Sequence, residues 1–145
     1  MKPLIITAVH AVDTTLNNTS TLLYASSPAA GFPAPGDDLV EARLNVHDLL
    51  VKHPESTFFV RVEGDSMEGA GIFSGDVLVV DRSVEPKNGA IVVAAVQGGL
   101  VVKRLKRERE GLFLVSEQSG YAPIAINEQD DCFIWGVIVG SVRQF

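Results

Sequence analysis

Ser66 stands where a serine can be turned into a nucleophile. It lies in the stretch Val62-Glu63-Gly64-Asp65-Ser66-Met67, just after an expected strand at Thr57 to Val62. Gly64-Asp65 is a turn pair, because glycine tolerates positive φ and aspartate bonds its own backbone. A serine leaving a strand on such a bend can lift its hydroxyl clear of a sheet. Neighbouring N–H groups then converge on one point and can stabilise an oxyanion. Gly-Asp-Ser also occurs as a plain turn or helix cap, so the chemistry needs a base.

Lys103 is the candidate. Along Leu100 to Lys106, strand alternation puts Val101, Lys103 and Leu105 on one face and Val102, Arg104 and Lys106 on the other. If the first face is buried, desolvation disfavours the ammonium, and a neutral amine can take a serine proton. If the second is buried, Lys103 joins a solvated basic run that ends at Arg109. The pattern admits both. Glu108 and Glu110 interleave with that run and no stacking aromatic lies near it, so it reads as a solvated hairpin rather than a nucleic-acid patch. His47 and His53 read as surface or capping residues and His10 lies in the arm, so no Ser-His-Asp set forms. No histidine or cysteine cluster has metal-ligand spacing, and no cofactor is expected.

The elements that must position these residues are mostly strands. The runs 57–62, 77–80, 90–96, 100–106, 111–115 and 132–139 are rich in valine and isoleucine. Gln97-Gly98-Gly99 signals a hairpin between two of them. Apolar positions 46, 49 and 50 predict one short helix within 44–52, ended by Pro54. The expected fold is mainly β: a small curled sheet or barrel-like domain with one short helix and an extended N-terminal arm. Residues 1–40 form the arm and 41–145 the β-rich domain. Within the arm, 14–21 is a polar run with little to bury, and Pro28, Pro33 and Pro35 keep 24–38 extended. That strip is either a linker or a peptide substrate. Cys132 and Trp135 are expected in the core.

Composition narrows the classes. A chain of 145 residues holds one domain with a core plus an appendage. The net charge of -6 argues against general affinity for nucleic acid. A single cysteine excludes an internal disulfide and suits a reducing, cytoplasmic setting. No apolar run is long enough for a membrane span. The stretch from Met1 to Val9 resembles a signal peptide only faintly, and His10 and Asp13 interrupt it.

Taken together, Gly64-Asp65-Ser66-Met67, Gly71, Ser74-Gly75-Asp76, the strand Val77 to Asp81, Gly89, Ile91 to Val96 and Val101-Val102-Lys103 closely resemble the UmuD proteins. These are relatives of the LexA repressor and of phage repressors among the self-cleaving serine peptidases. Ser66 and Lys103 lie 37 positions apart, which fits that family's Ser-Lys dyad. Ala30-Gly31-Phe32-Pro33 is similar to its cleavage site, and the likeness runs from about Ala30 to Val139. The resemblance implies that Ser66 is the nucleophile, Lys103 its general base and Ala30–Gly31 the scissile bond. Amides around Ser66 would form the oxyanion hole, with Asp65 and Met67 shaping the bend. It further implies a homodimer that a RecA filament on single-stranded DNA stimulates to cut itself. The product would serve a UmuC-like Y-family polymerase in error-prone lesion bypass, without specific DNA binding of its own. Three alternatives compete. A LexA-type repressor needs a helix-turn-helix that residues 1–30 do not supply. A signal peptidase needs a membrane anchor. In a non-catalytic β module the serine and lysine would be incidental.

Overall fold

The computed structural model of the protein describes residues 2–13, 21–24, 40–127 and 132–145. In chain order the strands are β1 (Ile5–Ala11), β2 (Thr21–Tyr24), β3 (Val40–Leu44), β4 (Thr57–Glu63), β5 (Val77–Asp81), β6 (Ile91–Val96), β7 (Gly99–Glu108), β8 (Gly111–Val115), β9 (Ile124–Ala125) and β10 (Cys132–Val142). Helix α1 (Val46–Leu50) lies between β3 and β4. Chain contacts group residues 1–12 with 53–145 in one unit and set 13–52 apart as another.

In the first unit eight strands run β1-β4-β5-β10-β6-β7-β8-β9, each antiparallel to its neighbour. β1 also pairs with β7 through Ile5 and Val101, so six strands close on themselves. The curled, mainly β expectation is met, and each expected strand is present. β5 reads Val-Leu-Val-Val-Asp with no alternation because both of its faces are covered. One core cluster joins Leu4, Val60, Val62, Met67, Leu78, Val80, Val93 and Val102. The second joins Val92, Ala94, Leu105, Leu114, Cys132 and Val137. Cys132 is therefore core, as expected. Trp135 is half-buried at the edge of the first cluster, its ring 5.2 Å from Phe58 and 4.6 Å from the Arg82 guanidinium.

Two hairpins set the register around the candidate base. Gln97 and Gly98, with φ of 50° and 81°, make the two-residue turn between β6 and β7. Positive φ at both positions matches the twist of the flanking strands. Val96 then faces Gly99, which brings Val92 opposite Lys103. On the other side Glu108 faces Gly111 and Arg104 faces Val115. Lys106, Arg107 and Glu108 are exposed, and Lys106 pairs with Glu108 at 3.1 Å, so the outer part of the basic run is the solvated hairpin expected.

Residues 5–11 lie in the stretch read as part of the arm, yet they are a strand of the main sheet. The run Ile5-Ile6-Thr7-Ala8-Val9 has the β-branched character of a strand, and the gap between β4 and β7 gives it two partners. In the second unit β2 pairs antiparallel with β3, which adds a further strand pair to those expected. The expected helix is present and shorter: the Asn45 side chain accepts the Asp48 N–H at 3.2 Å and so starts it at Val46. Ala30 and Gly31 lie outside the described residues.

Asp81, buried at the end of β5, locks the entry to β4. Burial opposes its ionisation. Hydrogen bonds from Ser83 N–H (2.9 Å), Ser83 Oγ (2.7 Å) and Ser56 Oγ (2.9 Å), with His53 Nδ1 at 2.5 Å, outweigh that and hold its pKa down at about 2. His53 is thus a surface residue, as expected, with its side chain on Asp81 rather than capping the turn that follows it. A carboxyl depressed on folding stabilises the fold above its unfolded pKa and ceases to do so as pH falls through the folded value. Asp81→Asn is expected to cost about 1.5–3 kcal/mol at neutral pH, the range for hydrogen bonds to a charged group. In urea melts the gap to wild type should close as pH falls through about 2.

Candidate active site

Ser66 follows β4 on the turn Gly64-Asp65 and precedes a short 3-10 turn at Glu68–Ala70. Gly64 has φ of 124°, and a Cβ there would stand 2.2 Å from Pro3 O, so glycine is required both by the bend and by the backbone crossing it. The turn is braced from three sides. Asp65 O accepts the Glu68 N–H at 3.2 Å. Gly75 N–H donates to Val62 O at 2.7 Å, and Val62 N–H to Asp76 O at 3.2 Å. Asp76 is buried and held by Arg143, Nε to Oδ1 and Nη2 to Oδ2 both at 2.7 Å. The bond to Arg143 outweighs burial and keeps that carboxyl below its ordinary pKa. Met67 is fully buried in the first core cluster and pins the turn from beneath.

Lys103 is 5% exposed. Both faces of β7 are packed: Val102 enters the first cluster, while Leu105 and Val101 join the second. The face that carries Lys103 is therefore a buried one, which resolves what alternation left open. Burial lowers the Lys103 pKa. Its Nζ donates to Ser116 Oγ at 2.6 Å and lies 5.0 Å from the centre of the Tyr121 ring. Among the described residues no carboxylate forms an ion pair with it.

The Ser66 hydroxyl is fully buried and accepts the Leu4 N–H at 2.8 Å. Ser66 and Lys103 are hydrogen-bonded to intermediaries rather than to each other. On one side Glu117 N–H donates to Ser66 O at 3.0 Å, next to the Ser116 that holds Lys103. On the other, Leu4 joins the Ser66 hydroxyl to Val102 N–H, its carbonyl accepting at 3.1 Å. The Arg104 guanidinium pairs with Glu117 and fastens the same segment to β7. The fold thus brings Asp65, Ser66, Met67 and Lys103 into one neighbourhood. Sequence reasoning missed Leu4, Ser116, Glu117 and Tyr121. The β7–β8 hairpin register offered a signal for one of them, since Arg104 facing Val115 places Ser116 next to Lys103.

Two polar atoms beside the site, Tyr121 Oη and Gln118 Oε1, are buried and have no hydrogen-bond partner among the described residues. Burial, and then the Asp65 charge, push the Tyr121 phenol up, so it remains a neutral donor. Among the described residues no group of three or more His, Cys, Asp or Glu could hold a metal ion, and no helix is long and apolar enough to cross a membrane.

The Peptidase S24-like family matches residues 22–139. Protein MucA of Salmonella typhimurium is 37% identical over 119 residues, 82% of each chain. Protein ImpA of the same organism is 38% identical over 123 residues, 84% of this chain and 83% of its own. The LexA repressor of Pseudomonas chlororaphis is 37% identical over 126 residues, 86% of this chain and 62% of its own. With a family match over most of its length and relatives this similar, the chain belongs to the Peptidase S24-like family, serine peptidases of the self-cleaving LexA and UmuD kind.

Proposed function

We propose that the chain is an autoprotease that cuts its own Ala30–Gly31 bond with Ser66 as nucleophile and Lys103 as general base. The observation that carries this is a buried lysine with no counter-ion among the described residues, one residue from Val102, whose amide is tied through Leu4 to a buried serine hydroxyl. Desolvation makes the neutral amine accessible nearer to neutral pH. With the scissile segment in place, Ser66 Oγ attacks the Ala30 carbonyl carbon and its proton passes to the Lys103 lone pair. Amides around Ser66, on the bend shaped by Asp65 and Met67, receive the oxyanion. Lys103 then protonates the Gly31 nitrogen as the C–N bond breaks. Water, deprotonated by Lys103, hydrolyses the ester, leaving the Ala30 carboxylate and free Ser66.

The substrate is tethered, so each chain reacts once and at high effective concentration. Slow cleavage at rest therefore requires that the competent arrangement be rare, and an activator works by favouring it. We take that activator to be a RecA filament on single-stranded DNA, acting in the cytoplasm on a homodimer. The cleaved dimer would serve as accessory subunit of a UmuC-like Y-family polymerase. MucA and ImpA align over more than four-fifths of their length, which supports the UmuD-type reading.

The test is incubation of the pure protein at alkaline pH with mass spectrometry. Cleavage after Ala30 is expected without any activator, because alkali deprotonates Lys103. Gly31→Glu should slow it at least ~100-fold by placing bulk and charge beside the attacked carbonyl, a displacement of the kind that costs that much in near-attack geometry. A Gly31→Glu chain processed at the wild-type rate would place the cut elsewhere.

A further inference from the structure

Residues 2–5 make a set of contacts for which cleavage at Ala30–Gly31 has no use. Lys2 N–H donates to Asp65 Oδ1 at 2.8 Å, and Asp65 N–H donates to Lys2 O at 3.0 Å. Leu4 N–H donates to Ser66 Oγ and Leu4 O accepts from Val102 N–H. Ile5 then faces Glu63 on β4 and Val101 on β7. The Leu4 side chain is wholly buried in a cluster with Val62, Met67, Ile72 and Val102. Gly64 has no side chain at the one point where Pro3 passes closest.

We propose that the groove between β4 and β7 is a strand-binding site whose resident ligand is the chain's own residues 2–5, and that this ligand competes with the scissile segment for Ser66. The site has the parts of strand addition to an open sheet: backbone donors and acceptors on both flanks and a pocket for one apolar side chain. Its ligand class is an extended peptide with a leucine-sized residue over Ser66. While that peptide is bound, the hydroxyl is spent on an amide and has no exposed surface. A carbonyl carbon must come within about 3–3.5 Å for attack, and Leu4 occupies that approach. Self-cleavage then requires residues 2–5 to leave, so the population of the vacated groove scales the rate. An activator that favours release of this strand speeds cleavage without touching Lys103. This inference rests on Ser66 being the nucleophile of the proposed autoproteolysis.

A reversible lock tests it on the full chain. Ile5 is 43% exposed and faces Val101 across the ladder. The variant Ile5→Cys, Val101→Cys, with Cys132→Ala to leave one possible bridge, is oxidised and then reduced. Two rates are read at alkaline pH: cleavage after Ala30, and labelling of Ser66 by a small fluorophosphonate. Both are expected to fall at least ~100-fold on oxidation and to recover on reduction, since a pinned strand removes the vacated state. Leu4→Ala, which empties the pocket, should raise both at least ~10-fold relative to wild type. Equal rates in the oxidised and reduced chains, or an unchanged or lower rate in a folded Leu4→Ala chain, overturn the proposal. A reduced chain that never cuts itself would instead sink the proteolysis reading. The groove is then judged by exchange of the Leu4 amide, expected to be protected in the reduced chain. Exchange at the free-peptide rate overturns the resident strand.

Discussion

Ser66→Ala and Lys103→Ala are each expected to slow cleavage after Ala30 by about 10⁴-fold or more, the scale of losing one member of a nucleophile–base pair. The measurement is the rate of product formation at alkaline pH by mass spectrometry. The two losses should not multiply in the double variant, because a base without its nucleophile has nothing to activate. Stability separates lost chemistry from lost fold, because Ser66→Ala and Lys103→Met should change it with opposite signs. Ser66→Ala strips the Leu4 N–H of its buried acceptor, and an unpaired buried donor costs about 1–3 kcal/mol. Lys103→Met removes a buried cation instead. Folding depresses the Lys103 pKa, so the unfolded chain binds more protons between the folded and the unfolded value. The charged lysine therefore penalises the fold most at pH below its folded pKa, and the penalty fades as pH rises to the ordinary lysine range. Lys103→Met should melt higher than wild type at neutral pH, with the gap narrowing as pH rises. A Lys103→Ala chain that cleaves at the wild-type rate would remove the lysine from the mechanism.

The bend at Ser66 was legible because its causes are local. Gly64 and Asp65 dictate a turn wherever they sit behind a strand, and the strand itself is written in valines and phenylalanines. The burial of Lys103 was half legible. Alternation named the two faces, but both carry apolar residues, and only the closed sheet shows that both are covered. Hairpin register would have found Ser116, since Glu108 facing Gly111 fixes every pair inward along β7 and β8. The strand at residues 5–11 was not legible. Its partners lie on β4 and β7, distant in sequence, and nothing in Ile5-Ile6-Thr7 says which edges are free. The same distance hides the bond from Leu4 to Ser66, a contact between residues that share no motif. Chemistry carried by local turns is thus readable from the chain, whereas what covers that chemistry is a property of closure.

Ser116→Ala should change both the height and the position of the pH–rate curve for self-cleavage. A neutral lysine has two N–H groups and one lone pair. Ser116 Oγ accepts one N–H at 2.6 Å, and the Tyr121 ring face lies 5.0 Å from the same nitrogen. An amine held this way can keep its lone pair free for the Ser66 proton, so Ser116 acts as a positioning residue through Lys103. Without it the amine samples other rotamers, and the plateau rate at high pH should drop about 10- to 100-fold, as misplaced catalytic groups do. The same oxygen also stabilises the ammonium more than the neutral amine, because hydrogen bonds to a charged donor are the stronger. Its removal leaves desolvation less opposed and lowers the Lys103 pKa further, so the inflection should move to lower pH. A merely structural role would lower the plateau and leave the inflection where it was. Ser116→Thr keeps the oxygen and should restore both. A Ser116→Ala profile superimposable on wild type would show that Lys103 finds its working geometry unaided.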